Sequence, residues 1–298
     1  MKNTYSSASL AKMLSVNEST VKRWADSNYI DCAKTKGGHR RFSTAAVMKF
    51  VHENKLALPE LASGMIENSD IRAHVAVGNI GKLVPALKSA ALEGNEEAVL
   101  RVLRTAMAAK PDLLALFEKV VFPPLQEVGE EWAAGKISVD MEHLASQTLR
   151  NALTRLQSEI HHEPANGLIA LCGCYEGELH DIALLCTSIY LSSRGWKTLF
   201  LGQMTPTSSL LKAIRKQRPN LVVLSAVTVK NSRRFLHDVN DVIYPAIHRV
   251  GGKFVVGGPN IAARFEKKVK AEFLISSITD FERIADRATF VAQKTKVR

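Results

Sequence analysis

Glu178-Leu179-His180-Asp181-Ile182-Ala183 stands between two apolar runs. Before it, Leu168-Ile169-Ala170-Leu171-Cys172 reads as a buried strand; after it, residues 183–191 read as a helix. A histidine in the loop at the carboxyl end of a first parallel strand sits where open α/β sheets bind ligands. Glu178, two positions earlier, can accept one ring N–H and leave the other nitrogen to ligate a metal. Taken alone, the same tripeptide also reads as a surface or capping histidine.

Further strand-like runs continue the pattern: after 168–172 come 197–201, 221–225, 253–256 and 273–275, separated by helical runs. That alternation predicts a five-stranded parallel flavodoxin-like α/β sheet. Strand order 2-1-3-4-5 puts the switch point between the first and third strands. His180 and Ser225 fall at or just beyond the ends of those two strands, and Gly257-Gly258 follow the fourth.

Here the chain resembles the cobalamin-binding domain, whose pattern is Asp/Glu-x-His-x-x-Gly, then Ser-x-Leu, then Gly-Gly. The counterparts are Glu178 to Ala183, Ser225-Ala226-Val227 and Gly257-Gly258, with residues 184–224 and 228–256 in the gaps. Ala183 replaces the Gly of the first motif and Val227 the Leu of the second. The resemblance implies a cobalt corrinoid with His180 as its lower axial metal ligand and Glu178 behind it. Its nucleotide tail would lie in the crevice by Ser225, where Gly257 and Gly258 let the backbone approach.

The 298-residue chain is long enough for two or three domains, and 46% hydrophobic with 23% charged residues is a globular composition. The N-terminal Met1-Lys2-Asn3-Thr4-Tyr5 lacks a secretory pattern and no apolar run is long enough to span a membrane. Four cysteines make no disulfide framework, so a reduced, cytoplasmic protein with no membrane partner is expected. The net charge of +11 favours an anionic partner. Residues 1–50 alone carry nine Lys/Arg against three Asp/Glu.

In that basic segment, residues 8–14 read as a short helix, Ser15-Val16-Asn17 as a turn, and 18–25 as a second helix capped by Asn17. Val21 and Trp24 share one face of it, while Ser19, Thr20, Lys22 and Arg23 project elsewhere, as a helix-turn-helix reading of a major groove requires. Thr35-Lys36-Gly37-Gly38 then reads as a tight turn ahead of His39-Arg40-Arg41-Phe42-Ser43. This resembles the wing of MerR-family winged-helix regulators. The resemblance implies double-stranded operator DNA as partner, with Ser19, Thr20, Lys22, Arg23, His39, Arg40 and Arg41 at the interface and both arginines on phosphate. Residues 44–52 read as a closing helix, and 53–81 as a linker without a heptad repeat, so a homo-oligomer, dimer or tetramer, must form by other means.

Residues 82–92, 96–107, 112–133 and 139–160 read as a four-helix bundle, with Pro123-Pro124 expected to kink or divide the third helix. Trp132, followed after nine residues by Glu142-His143, resembles the upper-face motif of adenosylcobalamin-dependent regulators of CarH/LitR type. The resemblance implies that Trp132, Glu142 and His143 surround the adenosyl group. An indole suits an apolar lid, and a carboxylate suits ribose hydroxyls. Photoreceptors of that type place a histidine directly after the Trp, where this chain has Ala133. The expected division is a winged-helix domain with linker (1–75), a bundle (76–163) and a cobalamin-binding sheet domain (164–298). The expected function is a DNA-binding regulator, a repressor sensing adenosylcobalamin and light, and not an enzyme. A regulator with a cobalamin-independent sensing domain, or a corrinoid methyl carrier, is the alternative.

Overall fold

The computed structural model describes residues 4–14, 16–35, 37–43, 46–47, 49–50, 75, 78–259 and 261–286. The expected linker over 53–81 lies largely outside them, and the expected helix over 44–52 in part. The chain divides into two compact units, Met1–Ala152 and Leu153–Arg298, the boundary falling within a long helix.

The first unit opens with strand β1 (Thr4–Ser6), helix α1 (Ser7–Met13) and helix α2 (Glu18–Asp26), followed by β2 (Ala33–Lys34) and β3 (Arg40–Ser43). The strands form an antiparallel sheet of order β1-β3-β2. Its turn uses Gly38 at φ +77, with the Gly38 N–H donating to the Thr35 carbonyl. Leu10, Val21, Ile30, Phe42, Val47 and Phe50 form a small buried core. Trp24 packs on Phe50 with ring centroids 5.0 Å apart. Asn17 does occupy the position before α2, but its side chain makes no capping bond; its carbonyl instead accepts the N–H groups of Thr20 and Val21.

Four helical segments follow: α3 (Val84–Leu92), α4 (Glu96–Ala109), the run formed by α5 (Leu113–Leu116) and α6 (Phe122–Ala133), and α7 (Val139–Gln157). Leu87, Leu100, Leu103, Leu116 and Phe117 are fully buried among them. Asp112 caps α5 through the Ala115 N–H, as its position after a proline suggests. The proline pair does not break the third helix. A π-helical turn at Phe117–Val121 joins α5 to α6 without interruption. Prolines 123 and 124 have no N–H to offer the carbonyls four residues back, and a widened turn accommodates the loss.

The second unit is a parallel sheet of β4 (Ile169–Cys174), β5 (Lys197–Gly202), β6 (Leu221–Ser225), β7 (Lys253–Gly257) and β8 (Phe273–Ile275). The spatial order is β5-β4-β6-β7-β8, the expected 2-1-3-4-5. Helices α8 (Ile182–Ser193), α9 (Thr207–Gln217), α10 (Ser232–His237), α11 (Tyr244–Arg249), α12 (Ile261–Phe265) and α13 (Phe281–Ile284) connect or follow the strands. β6 is buried at every position, as its unbroken Leu-Val-Val-Leu run requires of a central strand. The register aligns Cys174, Ser225, Gly257 and Ile275 in one row at the carboxyl ends. Among the described residues, no helix is long and apolar enough to cross a membrane.

Candidate functional site

Three loops converge at the switch point between β4 and β6. The β4–α8 loop carries Glu178 and His180, the β5–α9 loop follows Gly202, and the loop after β6 carries Val227 and Thr228. Glu178 ties the first loop to the third. Its side chain is 1% exposed, whereas that of His180 is 68% exposed. One carboxylate oxygen, Oε1, accepts the His180 main-chain N–H at 2.8 Å and lies 2.6 Å from His180 Nδ1. The other, Oε2, accepts the N–H groups of Val227 at 2.7 Å and Thr228 at 2.5 Å. Burial pushes the Glu178 carboxyl up, but the hydrogen bonds from His180 and Thr228 outweigh it and hold the group below its ordinary value. The carboxylate is therefore charged, and Nδ1 is the ring nitrogen that carries the proton towards it. Nε2 is then the nitrogen with metal-ligand character.

The β5–α9 loop, which the sequence reading missed, closes on the same place. Met204 adopts a left-handed backbone (φ +46) and donates its N–H to the Glu178 carbonyl. Gln203 donates through Nε2 to the Leu179 carbonyl at 2.7 Å. Leu179 and Met204 are both more than half exposed, two large apolar side chains in the loops around His180. A non-glycine residue in the left-handed region marks such a loop only after folding.

Ser225 is buried at the end of β6, and its carbonyl accepts the Tyr175 N–H. The protein's own packing requires glycine at 258 and crowds 257. A Cβ on Gly258 would lie 2.5 Å from the Ala226 carbonyl oxygen and 2.9 Å from Ile261 Cγ1. On Gly257 it would meet Ile275 Cγ1 at 3.1 Å. Ala183 sits in the first turn of α8, a helical position where glycine's conformational freedom is unnecessary.

In the first unit, Trp132 is 50% exposed at the end of α6. Val139, Met141 and Leu144 at the start of α7 are exposed as well. Glu142 faces His143 Nδ1 at 2.6 Å and accepts from Ser146 Oγ at 2.7 Å. This corner of the unit presents an indole and three aliphatic or thioether side chains beside an ordered carboxylate. Ala133 is exposed there and offers no donor atom. Elsewhere, His162 hydrogen-bonds the Ser192 and Gln157 carbonyls, and among the described residues no three His, Cys, Asp or Glu gather around a common metal position.

On the winged helix, Ser19, Lys22, Arg23, His39 and Arg41 are exposed, and Thr20 is partly so. Lys22 pairs with Glu18 one turn earlier. Arg40, expected on phosphate, has a partner within the domain. Side chains alternate along a strand, so Arg40 shares the inward face of β3 with fully buried Phe42, and Arg41 shares the outward face with Ser43. Arg40 donates to Asp26 Oδ1 at 2.5 Å. That bond from the Arg40 guanidinium holds the Asp26 carboxyl below its ordinary value.

The chain matches a helix-turn-helix domain over residues 4–55 and B12 binding domains over residues 83–157 and 168–278. The chain therefore carries a segment similar to a helix-turn-helix domain and two similar to B12 binding domains. It is similar to the HTH-type transcriptional repressor CarH of Myxococcus xanthus, 36% identical over 138 residues (45% of this chain, 44% of that protein). It is also similar to the repressor CarA of the same organism, 34% identical over 153 residues (51% and 50%). The chain thus spans about half the length of the curated relatives it matches. A monomethylamine corrinoid protein of Methanosarcina barkeri shares the fold, with a TM-score of 0.56 at 18% identity, over 67% of this chain and 94% of that one.

Proposed function

We propose that the protein is a DNA-binding transcriptional repressor that senses adenosylcobalamin and, through it, light. The observation that carries this reading is the pairing of an exposed ring with a buried anion: His180 is held at Nδ1 by a carboxylate that is itself fixed by two main-chain N–H groups. A cobalt corrinoid fits these residues, since its metal takes an imidazole nitrogen and its broad macrocycle suits the exposed Leu179 and Met204. His180 would hold cobalt through Nε2, with Glu178 orienting the ring. Ser225, Gly257 and Gly258 would border the nucleotide tail, and Trp132, Glu142 and His143 would serve the adenosyl group. When bound, adenosylcobalamin would supply a light-labile cobalt–carbon bond. The chain itself has no catalytic role.

The output is operator binding by the winged helix, with Ser19, Thr20, Lys22 and Arg23 of α2 towards the major groove and His39 and Arg41 on the wing. The working form is a cytoplasmic homo-oligomer, dimer or tetramer, because joining several weak basic domains raises operator affinity by avidity. Its three functional parts are residues 1–75, 76–163 and 164–298. The test is the absorption spectrum of protein loaded with adenosylcobalamin, before and after green light, for the parent and His180→Ala. A spectrum and cobalamin affinity unchanged by His180→Ala would rule out His180 as the cobalt ligand.

A further inference from the structure

The two wing arginines are adjacent in sequence but face opposite sides of β3. Arg40 turns towards α2 and reaches its last residue, Asp26, across fourteen positions of chain. Its side chain is 19% exposed against 55% for Asp26. Its Nε is buried with no hydrogen-bond partner, so the guanidinium is packed into the domain and its bond to protein runs to the end of α2. Across the ladder, Arg40 pairs in register with Lys34, and Arg41 with Ala33 and Ser6, so Arg41 alone of the two lies on the solvent face of the middle strand.

We propose that Arg40 is a positioning residue for DNA binding: with Asp26 it clamps the wing to the carboxyl end of the recognition helix, and Arg41 is the wing arginine that meets phosphate. The physical case rests on the separation of two demands. A winged helix contacts DNA through two elements, and the spacing between them must match the groove and the flanking backbone. A phosphate that drew the guanidinium away from Asp26 would release that spacing. The planar guanidinium, which binds a carboxylate in a fixed direction, suits the clamp better than an ammonium would. Two consecutive arginines on a strand divide the tasks because the pleat sends them to opposite faces.

The inference rests on the DNA-binding reading above, and the experiment separates the two. Full-length parent, Arg40→Ala, Arg41→Ala, Asp26→Ala and the charge swap Asp26→Arg/Arg40→Asp are titrated with salt against the duplex that the parent selects from a random-sequence pool. Parent protein that selects no duplex overturns the DNA-binding reading and the clamp with it. With the parent binding, loss of one phosphate contact flattens the slope of log K against log salt by about 0.9. Arg41→Ala is expected to show that change. Arg40→Ala is expected to weaken binding tenfold or more, by about 1.4 kcal/mol or more, with the slope unchanged. Asp26→Ala gives the sign independently: removing an acid near DNA would tighten a purely electrostatic complex, whereas loss of the clamp weakens it. The charge swap is expected to bind more tightly than Arg40→Asp alone, which is titrated beside it. A flattened slope for Arg40→Ala, tighter binding by Asp26→Ala, or a swap no better than the single reversal each overturns the clamp.

Discussion

Glu178→Gln keeps the shape of the side chain and removes one acceptor. A carboxamide has one oxygen and one NH2 donor, and Glu178 meets N–H groups at both ends: His180 at Oε1, Val227 and Thr228 at Oε2. Turned one way its NH2 faces the Val227 and Thr228 N–H groups; turned the other it faces the His180 main-chain N–H and obliges the ring to move its proton to Nε2. Hydrogen bonds to a charged acceptor contribute about 1.5–3 kcal/mol each, and a buried donor left unpaired costs about 1–3 kcal/mol. Allowing for relaxation, the change should destabilise the sheet unit by roughly 2–4 kcal/mol. For a unit of this size that lowers Tm by roughly 5–15 °C. The reporter is Trp196, buried in the same unit with its indole N–H donating to the Ala285 carbonyl, in a background carrying Trp24→Phe and Trp132→Phe. The pH dependence has a definite sign. Because the folded carboxyl lies below its ordinary 4.5, its stabilisation is complete above that value and is lost as pH falls through the lowered one. The gap between parent and Glu178→Gln should therefore close in acid. A mutant melting within about 1 °C of the parent at neutral pH would refute the reasoning.

Gly258→Ala forces a Cβ against the Ala226 carbonyl and should destabilise by roughly 1–3 kcal/mol, more than Gly257→Ala, whose nearest neighbour is the movable end of Ile275; denaturant melts of both variants check the order. Ala183→Gly should weaken α8 by about 0.5–1 kcal/mol without improving corrinoid affinity, since the position is helical; a tighter complex would show that the motif's glycine serves the ligand. Burial pushes the Cys172 thiol up to about 12, and that of Cys186 well above its ordinary value, so native alkylation near pH 8 should mark partly exposed Cys32 first, as mass spectrometry of tryptic peptides will report. With Ala133 in place of the expected histidine, recovery in the dark with fresh adenosylcobalamin should be easier than in photoreceptors that have that histidine. Size-exclusion profiles and operator gel shifts taken dark, illuminated and dark again test it; identical results in all three states would reject light control.

The sheet was legible because its central strands are apolar runs bounded by polar or glycine-containing loops, and the parallel connections allow few orders. Glu178 and His180 were legible by their spacing. The partners of Glu178 across the switch point were not, because Val227 and Thr228 contribute main-chain N–H groups that no side-chain pattern announces. Met204 was missed for a related reason: its left-handed backbone is imposed by the loop bond to the Glu178 carbonyl. The inward turn of Arg40 was available in principle, since a buried Phe42 fixes the parity of the strand, but charge alone made the two arginines look equivalent. The proline pair foretold a disturbance in the third helix without revealing its form. A π turn depends on how the rest of the bundle holds the helix ends.

The hold of Glu178 on the loop after β6 also bears on how such a chain can diverge. Amides are the same at every residue but proline, so the anchoring contacts at 227 and 228 are silent to substitution. Val227, where the related pattern has Leu, keeps its place on the carboxylate without its side chain taking part. Drift at these two positions should leave the histidine's support untouched, while a proline at either would remove an anchoring N–H outright.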